Sequence, residues 1–315
     1  MSTPANIIAI GRSRYLYDGI KHLVSKGYVC KAIVTEEGYE EYDIKQKDFE
    51  LLAAQIKSRI FITKSLDLEE LMQIVRDNHI RAAISVNWKY TIKKSFLDLF
   101  ECGILNFHLG NLPDYKGNAT VNWTIINGEN MIYGNVHKMD PVLDAGDVIS
   151  RKAIPITEQT YIADILKQAA LDAPYLYEEA LQKVLKQPDA FELKGSLHGL
   201  RCYPRLPEDS QVNWNESAQK ISRLIRASSE PYSGAYSYLN EGQIIIWKAR
   251  IFNHVEKYLA VPGHIVGIQK DSKTIHVACG DGMLEIQEIG YQGKKIAPAE
   301  LIKSIRVRFK QQHHA

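Results

Sequence analysis

The sequence predicts an α/β protein: a Rossmann-like, mostly parallel sheet domain followed by a small C-terminal β-barrel of the OB-like type. Strand and helix patterns alternate through the first half, which is typical of a parallel sheet covered on both faces. A long helical pattern over residues 162–185 closes this half. After Ser233 the pattern changes to short strands separated by turn residues, which is typical of a small antiparallel barrel.

The spacing of apolar residues predicts the individual elements. In the first half we expect strands over 7–10, 29–35, 82–86 and 104–108, and helices over 15–26, 67–78 and 120–127. In the second half we expect a helix over 216–227 and strands over 243–247, 264–268, 274–278 and 283–289. Between the halves the periodicity fades and Gly and Pro accumulate. These changes predict a first domain over 1–190, a linker over 191–210, and a helix plus barrel over 211–315.

Composition excludes several classes of protein. The net charge of the 315 residues is +2, so no overall charge favours a nucleic-acid coat. The four cysteines form no close pair, and no cluster of metal ligands is present, so we expect neither a disulfide framework nor a metal site. No secretory signal is recognisable and no apolar run approaches the ~18 residues of a membrane span. We therefore expect a cytoplasmic protein without a membrane partner.

The most informative segment runs from Asn106 to Gly117. Side chains of a strand alternate between its faces, so Asn106 and His108 point the same way at the end of a predicted central strand. Ligands of parallel sheets bind beyond these strand ends. An amide donor beside a titratable imidazole suits the stabilisation of an oxyanion and the transfer of its proton. A polar strand end with a fully hydrogen-bonded histidine is the alternative interpretation.

Two loops add further polar candidates. The loop over 139–148 carries three acids, and a carboxylate there could orient an imidazole, although a solvated turn would use the same residues. The loop after the first strand, Gly11-Arg12-Ser13-Arg14, places two arginines at a helix start, which favours an anion. It lacks the glycine spacing of a dinucleotide site. A solvated helix cap is the second interpretation of this loop.

Together these segments resemble the formyltransferases that use 10-formyltetrahydrofolate. The resemblance rests on motifs in order and spacing: Asn106-x-His108, Leu112-Pro113-x-Tyr115-Lys116-Gly117, Trp123-x-x-x-Asn127-Gly128 and Leu143-Asp144-x-Gly146-Asp147. The later segments Tyr203-Pro204-Arg205-Leu206, Asn213-Trp214 and Gly234-Ala235-Tyr236 resemble the start of the accessory domain of methionyl-tRNA formyltransferase. That family usually has Ile-Asp-Trp where this chain has Val212-Asn213-Trp214.

The resemblance implies a catalytic trio of Asn106, His108 and Asp144, with no metal. In the implied mechanism a neutral amine attacks the formyl carbon, Asn106 and protonated His108 stabilise the oxyanion, and Asp144 keeps the imidazole charged. The bond from the formyl carbon to the folate nitrogen then breaks, and protons pass through His108 or a water to that departing nitrogen. The residues implied to bind the folate are Trp88, Lys89, Tyr90, Ile92, Met139, Asp140 and Val142. The residues expected to bind the acceptor are Gly11, Arg12, Ser13, Arg14, Lys116, Gly117, Asn118 and Thr120.

The acceptor amine is inferred from departures from the methionyl-tRNA enzymes. Those enzymes usually carry a basic loop after the second strand, whereas residues 36–43 here are acidic and would repel a nucleic acid. We therefore expect a nucleotide-linked amino sugar of surface-polysaccharide (lipopolysaccharide) biosynthesis as acceptor. Residues 240–315, with 11 basic and 7 acidic side chains, leave methionyl-tRNA open as a second acceptor. A formyltetrahydrofolate hydrolase and a catalytically silent folate- or nucleotide-binding protein are compatible with the same sequence.

Overall fold

The computed structural model describes residues 5–37, 42–240, 242–255 and 258–310. The chain divides into two compact units, each built from several stretches of sequence. The first unit comprises residues 1–120, 132–154 and 166–202, and the second comprises 121–131, 155–165 and 203–315.

The elements are numbered in chain order. The strands are β1 Asn6–Gly11, β2 Val29–Thr35, β3 Arg59–Ile62, β4 Ala82–Val86, β5 Gly103–Leu109, β6 Tyr115–Gly117, β7 Met131–Lys138, β8 Val148–Pro155, β9 Leu200–Cys202, β10 Ala235–Leu239, β11 Gly242–Phe252, β12 Ile265–Gln269, β13 Thr274–Ala278, β14 Met283–Tyr291, β15 Lys294–Ile296 and β16 Phe309–Lys310. The α-helices are α1 Arg14–Ser25, α2 Gln46–Ile56, α3 Glu69–Asp77, α4 Lys94–Leu97, α5 Thr120–Asn127, α6 Ile162–Lys186, α7 Ala218–Ser228 and α8 Pro298–Leu301. A short 3₁₀ helix spans Pro207–Ser210.

The first unit is organised around a seven-stranded sheet in the order β3-β2-β1-β4-β5-β7-β8. The pairs among β3, β2, β1, β4 and β5 are parallel, and β5 pairs with β7 in antiparallel register. The strands β1 and β4 are buried along most or all of their length, because both faces of the sheet are covered. The strand order reverses between β1 and β4, so the loops that follow them adjoin at a switch point where ligands usually bind.

The second unit contains an antiparallel sheet in the order β12-β13-β14-β11-β10-β16, with β15 added beside β14. An isolated bridge between His264 and Arg308 links the segments just before β12 and β16, which are the two ends of this order. Apolar residues of α7, including Ile221 and Ile225, contribute to the core of this unit. The Trp214 ring stacks on Phe309 with ring centroids 5.2 Å apart.

The predicted fold class is therefore confirmed: a mostly parallel Rossmann-like sheet precedes an antiparallel, barrel-like sheet. The strands β2, β4 and β13 have the predicted bounds, and apolar residues make up most of each. The sequence pattern does not predict β7, because polar residues interrupt its apolar run. Among the described residues, no helix has both the length and the apolar composition needed to cross a membrane.

Candidate active site

The end of β5 places the two predicted catalytic side chains on one face. Asn106 and His108 are half-buried, whereas the intervening Phe107 is buried on the other face. The neighbouring strand β7 sets His137 opposite Asn106 and Asn135 opposite His108. Two polar residues of β7 therefore face the two polar residues of β5.

His137 is the first residue that the sequence analysis missed. Its Nε2 lies 3.1 Å from Asn106 Nδ2, and its Nδ1 lies 3.2 Å from the carbonyl oxygen of Lys138. A neutral imidazole with the proton on Nδ1 satisfies both contacts, because Nδ1–H donates to the carbonyl and Nε2 accepts from the amide. This tautomer fixes the side-chain amide nitrogen of Asn106 toward β7.

Asn135 holds the backbone at the end of β5. Its side-chain Nδ2 lies within hydrogen-bond distance of the carbonyl oxygens of His108 at 3.2 Å, Gly110 at 2.8 Å and Tyr133 at 3.0 Å, which share its two N–H donors. The residue is 0% exposed, and its Oδ1 has no hydrogen-bond partner among the described residues. A buried, unpaired carbonyl oxygen is uncommon and marks this corner of the site as able to accept another hydrogen bond.

Asp144 lies between the two histidines. Its Oδ2 is 3.7 Å from His108 Nδ1, its Oδ1 is 3.6 Å from His137 Nε2, and the backbone N–H of Gly117 donates to Oδ2 at 2.8 Å. The residue is 8% exposed and adopts a left-handed backbone with φ 53°, a conformation that Asp tolerates better than most residues. The loop conformation thus turns this carboxylate inward to the end of β5.

The charges of this group depend on one another. Burial pushes the pKa of Asp144 upward, but His108, His137 and the Gly117 N–H together outweigh it, so the pKa lies below the ordinary 3.8. Burial also lowers the pKa of His137 to about 4, because the attraction of Asp144 does not offset the loss of hydration. At neutral pH the site therefore holds an ionised Asp144 and a neutral His137.

Both ring nitrogens of His108 face oxygen acceptors. Nδ1 faces the Asp144 carboxylate, and Nε2 lies 3.3 Å from the carbonyl oxygen of Tyr115. A neutral imidazole carries one N–H and an imidazolium carries two, so either form can donate to at least one of these oxygens. The contact to Tyr115 is long for a hydrogen bond, which leaves Nε2–H available to a better acceptor.

The first loop is bound mainly to acidic residues of its own unit. Arg12 is 3% exposed, and its guanidinium lies 2.9 Å from Glu36 and also donates to the carbonyl oxygen of Asn87. Arg14 is exposed, and its Nε donates to Asp43 at 2.6 Å. The acidic stretch that was expected to repel a nucleic acid thus neutralises both arginines. Residues 38–41 of that stretch lie outside the described residues.

The backbone of this loop approaches β4 closely. Gly11 has φ 124°, and a Cβ at this position would come within 1.8 Å of the carbonyl oxygen of Val86, so only glycine fits. Ser13 is buried, and its hydroxyl accepts from the Asn87 side chain at 3.1 Å. The loops after β1 and β4 are therefore joined at the switch point.

The predicted folate-binding residues fall into two groups. Trp88, Ile92 and Met139 pack against one apolar cluster of the first unit, so the segments after β4 and after β7 share a core. The indole N–H of Trp88 is buried and has no acceptor among the described residues. The remaining predicted folate-binding side chains lie outside this cluster. Lys89 and Tyr90 contact Glu36 at 3.2 and 2.6 Å. The Asp140 carboxylate accepts from the Val142 N–H, and Val142 is 40% exposed.

The predicted acceptor residues after β5 have mixed surroundings. Lys116 is 2% exposed, and its ammonium group donates to the carbonyl oxygens of Ser196 and of His198. Burial lowers the pKa of this lysine. The Thr120 hydroxyl donates to the carbonyl oxygen of Leu109, and the Asn118 side chain is exposed. Among the described residues there is no group of three or more His, Cys, Asp or Glu side chains that could hold a metal ion.

The fold and these contacts define an α/β protein with an Asn-His-Asp group at the end of a central strand. The chain matches the formyl transferase family over residues 19–181 and the formyl transferase C-terminal domain over residues 206–306. The chain therefore belongs to the formyl transferase family, as the resemblance in the sequence indicated.

Solved structures share this fold at low sequence identity. The N-formyltransferase from Helicobacter canadensis, solved with folinic acid and dTDP-3-aminofucose, is 16% identical with a TM-score of 0.66, covering 90% of this chain and 99% of that one. HypX from Aquifex aeolicus with tetrahydrofolic acid is 16% identical with a TM-score of 0.62, covering 99% of this chain. Only 51% of the HypX chain is covered, so this chain spans about half its length. Methionyl-tRNA formyltransferase from Clostridium thermocellum is 18% identical with a TM-score of 0.53, and the match covers 79% of this chain and 94% of that one.

Proposed function

We propose that this chain is an N-formyltransferase that takes the formyl group of 10-formyltetrahydrofolate and transfers it to an amine. The observation that carries the proposal is the arrangement of Asn106, His108 and Asp144 at the end of β5, with the carboxylate 3.7 Å from the imidazole. The chain's membership of the formyl transferase family supports the same activity.

Each residue of the trio has a role that its contacts support. One N–H of the Asn106 amide is directed to His137, which leaves the second to stabilise negative charge on a formyl oxygen. His108, flanked by two oxygen acceptors, carries a proton that it can share with the same oxygen. Asp144 stabilises that positive charge, and its own hydrogen bond to Gly117 keeps it ionised and in place.

The residues present fit a reduced folate. The buried Trp88 N–H lacks an acceptor among the described residues, and the neighbouring loop exposes apolar side chains at Val142 and Leu143, which are 40% and 53% exposed. A flat heterocycle has both the hydrogen-bond acceptors and the apolar faces that these groups require. We infer that Trp88, Ile92, Met139 and Val142 hold the folate. When bound, the folate supplies the formyl group.

We propose a nucleotide-linked amino sugar as the acceptor. The structure solved with dTDP-3-aminofucose has the same fold along nearly its whole length, and this supports an acceptor of that class. The ion pairs of Arg12 with Glu36 and of Arg14 with Asp43 weaken the expectation that these two arginines bind an anionic group of the acceptor. We therefore place the first loop in a supporting role beside the site.

The test is a formyl-transfer screen. Purified enzyme and 10-formyltetrahydrofolate are combined with a panel of amino-sugar nucleotides, with aminoacylated initiator tRNA, and with no acceptor. Formylation of a sugar nucleotide that is lost in His108→Ala supports the proposal. Preferred formylation of methionyl-tRNA would replace the acceptor, and release of formate without an acceptor would indicate a hydrolase. Tight folate binding with no turnover in any reaction would refute a catalytic role.

A further inference from the structure

The segment expected to be a linker contains residues 194–202, here called the strap. The strap is hydrogen-bonded to Asp147, in the loop that carries Asp144, and to Lys116 on β6. Its last three residues form β9, which pairs in parallel with β6. At its start the N–H of Gly195 donates to Asp147 at 2.8 Å, and Lys194 pairs with the same carboxylate. Near its centre the carbonyl oxygen of His198 accepts from the Lys116 ammonium group at 2.7 Å. The backbone of the strap is therefore fixed beside the site.

Arg201 lies on this strap beside Lys116 and Gly117. It pairs in register with Lys116, and its Cδ lies 3.3 Å from the position that a Cβ on Gly117 would occupy. The N–H of Gly117 is the hydrogen-bond donor to Asp144. The stem of Arg201 thus packs close to Gly117, while the residue as a whole is exposed.

The guanidinium of Arg201 makes no hydrogen bond or ion pair with the described residues, in contrast to Arg12 and Arg14, which pair with Glu36 and Asp43. Its charge acts on two neighbours, since it contributes to the lowered pKa of Asp144 and to that of Lys116. Two cations on adjacent strands repel each other unless an anion lies between them. An unpaired arginine on a rigid backbone has five N–H donors arranged to suit a phosphate.

We propose that Arg201 binds a phosphate group of the acceptor and so positions the amine at the end of β5. This inference rests on the proposed function for the identity of the acceptor, but anion binding by Arg201 can be measured without turnover. A charge-assisted hydrogen bond contributes about 1.5–3 kcal/mol, which corresponds to roughly 10- to 100-fold in affinity.

The experiment compares Arg201→Ala, Arg201→Lys and the wild type, with Arg76→Ala as control. Arg76 is a half-exposed arginine of α3 whose loss removes the same charge away from the site residues. Calorimetry measures binding of inorganic pyrophosphate and of the diphosphates dTDP, UDP and GDP. We expect Arg201→Ala to weaken the diphosphate that binds best about 10- to 100-fold, Arg201→Lys to recover part of this, and folate affinity to stay unchanged in every variant.

The kinetic arm separates this inference from the proposed function. With an amino-sugar nucleotide as acceptor, Arg201→Ala should raise KM more than it lowers kcat. Sugar formylation with unchanged KM in Arg201→Ala would overturn the anion site and leave the function intact. Diphosphate binding that depends on Arg201, with no sugar formylated, would support the anion site and reject the proposed acceptor. Failure of the wild type to bind pyrophosphate or any of the diphosphates would also overturn the anion site.

Discussion

Replacing Asp144 by Asn tests how much the carboxylate contributes to catalysis. The change keeps the shape of the side chain and an oxygen that can accept from the Gly117 N–H, but it removes the charge. At 3.7 Å from His108, with an effective dielectric constant of about 20, a unit charge pair is worth about 4 kcal/mol. A complete loss corresponds to about 10³-fold in rate, and the retained hydrogen bond makes a loss of about 10²- to 10³-fold in kcat the expected result.

The assay measures kcat by formyl transfer and folate affinity by direct binding, both at neutral pH. Asp172→Asn is the matched control, because Asp172 is also buried, at 5% exposure, and pairs with Lys152 outside the site. The control should keep its kcat even if it loses stability. Turnover near that of the wild type in Asp144→Asn, or an equal loss in Asp172→Asn, would refute the electrostatic role of Asp144.

Three further predictions concern the residues around the trio. Asn106→Ala should lower kcat by roughly 10²–10³ with little change in folate affinity, since the amide acts on charge that develops during reaction; near-normal turnover would contradict this. For His137, the folded pKa of about 4 lies below the ordinary 6.5, so the unfolded chain binds more protons and stability is lost as pH falls between these values. Urea titrations measure the free energy of unfolding of wild type and of His137→Gln. The value for wild type minus that for His137→Gln should fall by about 3 kcal/mol from pH 7 to pH 4. If the unfolding free energies of the two proteins change in parallel with pH, a buried neutral His137 is rejected. Glu36→Gln should lower the free energy of unfolding by about 3 kcal/mol in the same titrations, because it leaves the buried Arg12 without its carboxylate. Glu37→Gln, at the exposed next residue, is the control. An equal loss of stability in the control would reject a specific role for the ion pair of Arg12 with Glu36.

The predicted trio and the missed histidine differ in how the sequence encodes them. Asn106 and His108 are two residues apart on one strand, so period-2 alternation places them on one face without any tertiary information. Asn135 and His137 have the same spacing on β7, and this alternation is the signal that could have found them. Their link to the site depends on the antiparallel pairing of β5 with β7, which joins residues about 30 positions apart and has no local signature.

The two first-loop arginines illustrate a different limit. Their position at a helix start is readable in the sequence, and so is the acidic stretch at 36–43. Taken separately, the first segment indicates an anion site and the second a repulsive loop. Parallel pairing of β1 with β2 brings the two strand ends together, so Glu36 reaches Arg12. Arg12 and Arg14 are therefore each paired with a carboxylate of the acidic stretch.

The fold class, the family and the strand that carries Asn106 and His108 could be predicted from the sequence, because these depend on local periodicity and on motifs with fixed spacing. Which arginines have a carboxylate partner depends on the tertiary structure. Arg12 and Arg14 each meet a carboxylate, whereas Arg201, in a segment expected to be a linker, makes no such pair with the described residues. Local patterns specify where a side chain starts and which way it points, but the partner of a charge is set by strand pairings between distant segments.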